Sequence, residues 1–121
     1  AALAGGMHRL PRQIGIKNAM GMMLTGHHVD AAEAFRLGIA QEVTEAGQLM
    51  ERAMAWAREI AECAPLSVRA TKQVAMGSLG RPLEEAVVGN YPAVKTLFKS
   101  EDFVEGPLAF MEKRKPNWKG R

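Results

Sequence analysis

The longest amphipathic pattern in this chain lies between residues 45 and 64, and it is typical of a surface helix. Its apolar residues recur every three or four positions, the spacing of one helix face: Leu49, Ala53, Trp56, Ala57, Ile60 and Cys63. Pro65 follows directly. Because proline lacks a backbone N–H, it ends one helix but fits the first turn of the next. We therefore expect helices over 45–64 and 66–79, separated at this proline.

Shorter helices are predicted in the first third of the chain. An apolar stretch over 16–24 is followed by Thr25 and Gly26, a common way for a helix to end. Asp30 with Glu33 three residues later forms a capping-box pattern, which predicts a short helix over 31–37.

The last third of the chain carries helix signals interrupted by prolines. Residues 83–98 are expected to be helical, but Pro92 cannot donate into the helix ladder, so we predict a kink or break near Asn90. Ser100 is a suitable N-cap for a final helix. Pro107 within that helix predicts a bend.

Residues 39–44 alternate apolar and polar side chains and are the one candidate strand. The expected fold is therefore mainly α, with six or seven short helices and at most one or two short strands. We see no internal repeat, linker or boundary, so a single domain over 1–121 is predicted.

The net charge of +3 is concentrated at the end of the chain. Residues 111–121 carry five basic residues against one acidic residue, which gives +4 and leaves −1 for the rest: Lys113, Arg114, Lys115, Lys119 and Arg121 against Glu112. This distribution does not favour general nucleic-acid binding. It suits either one phosphorylated ligand or a solvated tail. No apolar run approaches the roughly 18 residues of a membrane span, so no membrane insertion is expected.

Other reactive residue types show no catalytic or metal-binding pattern. Cys63, the one cysteine, excludes an intrachain disulfide and is expected to be a small buried filler, as most of the eight methionines are expected to belong to helix cores. His8, His27 and His28 are expected to be exposed, and they lack metal-ligand spacing. Trp118 either docks on a neighbouring surface or only anchors the tail.

Four motifs in order cover nearly the whole chain: GGMHRLPRQIG (5–15), LTGHHVDAAEAFRLGI (24–39), APLSVRATK (64–72) and SEDFVEGPLAFMEKRKPNWKGR (100–121). Together they closely resemble the C-terminal part of the enoyl-CoA hydratase/isomerase (crotonase) family. The resemblance implies the helical trimerisation region that follows a spiral core of β-β-α turns, in a homo-oligomer (trimer or hexamer).

The resemblance also implies a chemistry. Family members usually hydrate trans-2-enoyl-CoA thioesters, with two backbone N–H groups stabilising an enolate and two glutamates acting as acid and base. Those groups precede the family's GG-x-x-RL motif, so we expect them to lie before Ala1. No catalytic residue and no metal ligand are therefore predicted within the chain. The substrate implied is a coenzyme A (CoA) thioester, with no other cofactor.

Three positions carry expectations from the resemblance. The family's Ala-Phe-x-Glu-Lys segment places its Phe and Lys beside CoA, commonly that of a neighbouring subunit; here these are Phe110 and Lys113, three apart and expected on one helix face. Leu3 falls where hydratases commonly have a Gly near the attacked water. This departure leaves hydration, isomerisation, dehydration and hydrolysis open.

The leading hypothesis is the C-terminal segment of a lyase of this family, inactive alone, contributing oligomerisation and CoA contacts. An alternative is a non-catalytic helical self-association module. A nucleic-acid binder using the basic tail is a third reading, which the charge distribution disfavours. The resemblance implies the bacterial cytoplasm or the mitochondrial matrix as location.

Overall fold

A computed structural model describes residues 3–121, so Ala1 and Ala2 of the predicted domain lie outside the described residues. The described chain is mainly α, as predicted, and contains eight helices rather than six or seven. They are α1 (Gly6–Ile14), α2 (Ile16–Thr25), α3 (Ala31–Arg36), α4 (Leu49–Glu62), α5 (Pro65–Ser78), α6 (Leu83–Val87), α7 (Pro92–Phe98) and α8 (Glu101–Met111).

Helix ends follow the local signals closely. The N–H of Gly26 donates to the carbonyl of Met22 at 2.9 Å and ends α2. At the start of α3, Asp30 Oδ1 accepts the N–H of Glu33 at 2.8 Å, as the capping pattern predicted. The Ser100 hydroxyl likewise accepts the N–H of Phe103 at 3.2 Å and caps α8. These bonds satisfy backbone donors and acceptors that have no partner inside the helix.

The predictions at Pro65 and Pro92 are confirmed. Helix α5 begins at Pro65, and the segment 83–98 is broken into α6 and α7 before Pro92. Pro107 lies inside α8, which continues past it to Met111, and the predicted bend there stays a prediction. The long helix α4 begins at Leu49, four residues later than predicted, because residues 45–48 form a turn.

The predicted strand over 39–44 is not formed. Residues 39–44 belong to neither a helix nor a hydrogen-bonded strand, and no strand occurs anywhere between residues 3 and 121. A strand is stabilised by pairing with a second strand. No second strand pairs with residues 39–44 within residues 3–121, so the alternation alone does not produce a strand.

The chain divides into two compact units, Ala1–Met50 and Glu51–Arg121. In the first unit α1 packs on α2, and in the second α5 packs on α7, with further contacts from α6 and α8. Within residues 3–121 the buried apolar residues are few and small, five of the seven being alanines: Ile14, Ala19, Ala64, Leu66, Ala70, Ala86 and Ala109. No large side chain among residues 3–121 is fully buried.

Many large apolar side chains are exposed instead, and two expectations fail for this reason. None of the eight methionines is buried, and Cys63 is exposed rather than a core filler. A surface helix normally covers its apolar stripe with another element. Here α4 leaves Leu49, Met50, Met54 and Ile60 uncovered. None of the helices within residues 3–121 has the length and apolar character needed to cross a bilayer.

Candidate functional site

The predicted CoA-contact residues lie where α8 ends. Phe110 is on the last turn of α8 and its side chain is 84% exposed. Met111, the final residue of the helix, is exposed beside it in sequence. An aromatic side chain held this openly offers a flat apolar surface to a ligand or to another protein.

Lys113 does not lie on the same helix face as Phe110, which corrects the sequence expectation. Helix α8 ends at Met111 and Glu112 is its C-cap, so Lys113 already belongs to the chain that leaves the helix. Its φ is +53°, in the left-handed region. Its N–H donates to the carbonyl of Phe110 at 3.2 Å, and the N–H of Arg114 donates to the carbonyl of Ala109 at 3.0 Å.

This hydrogen-bond pattern is a Schellman motif, in which the left-handed position is usually glycine. The same motif ends α3 with Gly38 at that position and a φ of +78°. A residue with a Cβ costs about 1–2 kcal/mol more in this conformation. Lys113 therefore occupies a backbone position where the helix end alone would favour glycine.

Glu105 on α8 holds the chain that follows Lys113. Its carboxylate accepts two hydrogen bonds from the guanidinium of Arg114, at 2.6 and 2.9 Å, and one from the N–H of Asn117, at 2.7 Å. Glu112 accepts a further bond from Arg114 at 2.5 Å. Hydrogen bonds from Arg114 and then from the Asn117 backbone lower the pKa of Glu105 from 4.5 to about 2. The two carboxylates raise the pKa of Arg114 above its ordinary value.

Asp102, one turn earlier on α8, holds the last residues. It is only 3% exposed, and its two carboxylate oxygens accept the N–H groups of Lys119 at 2.6 Å and Gly120 at 2.9 Å. Both bonds are charge-assisted. We call residues 113–121 the tail; it lies along α8, tied by two carboxylates at positions three apart on one helix face.

Trp118 docks rather than remaining a free anchor. Its indole N–H donates to the carbonyl of Glu62, the last residue of α4, at 3.0 Å. Its ring lies beside Gly106, where an added Cβ would come within 3.4 Å of the ring. The tail is therefore held between α8 and the end of α4.

The two arginines of the tail form ion pairs, but its lysines form none within the described part of the chain. Arg114 is paired with Glu105 and Glu112, and Arg121 with Glu101 at 3.2 Å. Within residues 3–121, no ion pair involves the ammonium group of Lys113, Lys115 or Lys119. The exposed ammonium groups of Lys113 and Lys115 are available to an anion, whereas that of Lys119 interacts electrostatically with Glu105.

The remaining sequence candidates lie in the first unit. Leu3 is 71% exposed and begins the turn that leads into α1, where its carbonyl accepts the N–H of Gly6 at 3.2 Å. Arg9 steadies this turn by donating from Nη2 to the carbonyl of Ala4 at 2.9 Å. His8, His27 and His28 are exposed, as predicted. No group of His, Cys, Asp and Glu able to hold a metal ion occurs in the described part of the chain.

Sequence reasoning missed Asp102 and Glu105 as part of the site. The sequence has Glu101, Asp102 and Glu105 on the last helix and a basic tail after it. Opposite charges close in sequence were the available signal that the tail folds back on α8, but their spacing alone does not identify the partners.

Comparison with known proteins bears on the whole chain. The profile of the family described as enoyl-CoA hydratase/isomerase matches residues 1–121. Carnitinyl-CoA dehydratase from Proteus mirabilis (strain HI4320) is 42% identical over 125 residues, which cover 98% of this chain and 47% of that protein. Carnitinyl-CoA dehydratase from Escherichia coli (strain SMS-3-5 / SECEC) is 39% identical with the same coverage.

A solved structure supports the same relationship. The crystal structure of enoyl-CoA hydratase from Bacillus anthracis superposes with a TM-score of 0.90 and 34% identity, covering 98% of this chain and 46% of that one. The chain thus spans about half the length of the relatives that it matches. It belongs to the enoyl-CoA hydratase/isomerase family, and its helices correspond to the C-terminal helical region of that fold.

Proposed function

We propose that this chain is the part of an enoyl-CoA hydratase-like lyase that supplies CoA contacts and self-association. The intact protein would hydrate trans-2-enoyl-CoA or carry out related acyl-CoA chemistry through an enolate. The observation that carries the proposal is the end of α8, where an exposed aromatic ring is followed by an unpaired, tethered lysine, in a chain of this family.

The proposed CoA contact uses two residues with different roles. Phe110 packs against the adenine or pantetheine part of CoA, and the Lys113 ammonium pairs with a phosphate. Both side chains are exposed, so a ligand of this chain or of a neighbouring copy reaches them. A phosphate and an ammonium group form a charge-assisted hydrogen bond, which suits this pairing.

Titration with CoA tests the contact. We expect Lys113→Ala and Phe110→Ala each to raise the Kd for CoA about three- to tenfold, as loss of one exposed contact does. Lys99→Ala and Phe35→Ala are matched controls, because both residues are exposed on other helices or helix ends. Wild-type affinity in Lys113→Ala, or no binding of CoA by the unsubstituted chain, would contradict the contact.

The proposed self-association uses exposed apolar helix faces. The second unit leaves α4 and the region of α6 to α8 with many uncovered apolar side chains, including Leu83, Val87, Phe98 and Val104. Burying such surface contributes about 25 cal/mol per Å². We propose a homo-oligomer, a trimer or hexamer, as the form that covers part of this surface. Sedimentation should give a mass above 13.2 kDa that rises with concentration.

We propose that the catalytic acid, base and oxyanion-binding groups lie outside this chain. Leu3 would lie near the attacked water through its position relative to the GG-x-x-RL motif, but it offers no acid or base. We therefore expect residues 1–121 to give no hydration of crotonyl-CoA above buffer. Turnover by an enzyme-like factor of about 10⁶ or more over the uncatalysed rate would contradict this placement.

A non-catalytic self-association module is the alternative, and the same exposed apolar faces favour it. It predicts oligomers whose mass and stability do not change when CoA is added. Lys113→Ala should then form oligomers of the same mass and stability as the wild type. We also propose the bacterial cytoplasm as location, since the relatives compared are bacterial, and a CoA thioester as substrate without a further cofactor.

A further inference from the structure

The chain reversal after α8 is held by one side chain more than by any other. Glu105 binds Arg114 twice and the backbone of Asn117 once, so it ties the tail on both sides of residues 115 and 116. Its side chain is only 17% exposed, against 38% for Arg114. The bidentate geometry makes this contact directional as well as electrostatic.

Lys113 directly precedes Arg114, the partner of Glu105. Its backbone is left-handed, a conformation that is unfavourable for any residue with a Cβ. Nothing in its own hydrogen bonds requires a lysine, since the same helix end at Gly38 is made with glycine. The left-handed backbone therefore persists because the structure around it imposes it. The helix end lies on one side of Lys113, and on the other side Arg114 is held by Glu105 and also by Glu112.

We propose that Glu105 is a positioning residue: through Arg114 and Asn117 it keeps the reversal closed and sets the direction in which the Lys113 side chain leaves the backbone. This rests on the proposed function, in which Lys113 contacts a CoA phosphate. Glu105 itself does not touch the ligand, and as a carboxylate it would repel a phosphate.

That repulsion makes the test informative. Glu105→Gln removes a negative charge, so by charge alone it strengthens binding of CoA. If Glu105 positions Lys113, the substitution instead weakens binding about three- to tenfold, close to the effect of Lys113→Ala. Arg114→Lys keeps the net charge but loses the bidentate pairing, and we expect it to weaken binding in the same direction.

The experiment uses the chain of residues 1–121 and CoA as the probe, with affinities from calorimetry or NMR titration. We expect the double variant Glu105→Gln/Lys113→Ala to bind CoA no more weakly than Lys113→Ala alone. Both substitutions remove the same contact, that of Lys113 with the phosphate, so their effects should not add. Glu101→Gln is the matched control, since it removes a carboxylate of the same helix that pairs with Arg121 instead. It should not weaken binding.

A second readout does not depend on CoA. Backbone NMR couplings and Cα shifts of Lys113 report its positive φ, and we expect Glu105→Gln to move them toward averaged values while α8 keeps its helical shifts. Unchanged Lys113 couplings, wild-type affinity in Glu105→Gln, or effects of the two substitutions that multiply would each overturn the positioning role. Wild-type affinity in Lys113→Ala would instead overturn the CoA contact itself.

Discussion

Lys113 is the residue at which local stability and the proposed contact oppose each other. Lys113→Gly should stabilise the chain by about 1 kcal/mol, because glycine adopts a left-handed backbone without steric cost. For a domain of this size that raises Tm by about 4 °C. The same substitution should weaken binding of CoA as Lys113→Ala does.

Lys115→Gly is the control for this prediction. Lys115 does not have a positive φ, so glycine there should leave stability unchanged or lower it by up to about 1 kcal/mol. Thermal unfolding of the two variants measures the difference. Equal Tm changes would show that the conformation of Lys113 carries no strain.

Glu105 should make the free energy of unfolding depend on pH in the acid range. Its pKa in the folded chain, about 2, is below the ordinary 4.5, so the folded state binds fewer protons than the unfolded state between these values. The stabilisation is present above about pH 4.5 and is lost as pH falls toward 2. Glu105→Gln should flatten the loss of stability in this window, which urea unfolding at several pH values measures. An unchanged acid slope in Glu105→Gln would contradict the assignment.

At the scale of elements, capping decides where α8 begins. The Ser100 hydroxyl accepts the N–H of Phe103 and also donates to the carbonyl of Leu97 at 2.7 Å, in a buried position. Ser100→Ala should lower the free energy of unfolding by about 1 kcal/mol.

Ser78→Ala is the matched control for that prediction. The Ser78 hydroxyl bonds only to carbonyls of its own helix, Val74 at 2.6 Å and Ala75 at 3.3 Å, and caps no N-terminus. Such back-bonding contributes little, so the loss should stay within about 0.5 kcal/mol. Chemical denaturation measures the free energy of unfolding of both variants. Equal losses of stability in Ser100→Ala and Ser78→Ala would argue against a capping role for Ser100.

At the scale of the molecule, the second unit is closed by a contact between distant parts of the chain. The indole of Trp118 reaches the end of α4, 56 residues away in sequence. Trp118→Phe keeps a ring beside Gly106 but removes this hydrogen bond, and should cost about 1 kcal/mol. It should also speed hydrogen exchange at the Lys119 and Gly120 amides, which Asp102 otherwise holds.

Tyr91→Phe provides the comparison for Trp118→Phe. It removes another side-chain-to-carbonyl bond of the second unit, from the Tyr91 hydroxyl to Ala86 at 2.9 Å, without touching the tail. Exchange at the two tail amides should then stay at wild-type rates. Faster exchange in Tyr91→Phe as well would mean that the tail responds to general destabilisation.

The candidate site was only half predictable from sequence. Phe110 and Lys113 followed from the family resemblance, but their supposed common helix face was wrong because α8 ends at Met111. Helix periodicity predicts which positions share a face only while the helix continues. Glu105 and Asp102 were not predicted, since a carboxylate on a helix has many possible partners and its choice depends on where the tail lies.

The sequence by itself determined the helical class and most helix ends, because caps, prolines and apolar periodicity act within a few residues of each other. It also carried the family, through motifs spread over the whole chain. Only the tertiary structure decided that residues 39–44 form no strand, that Cys63 and the methionines are not buried, and that Trp118 docks at the end of α4. These outcomes depend on which surfaces meet, and residues far apart in sequence meet only once the chain has folded.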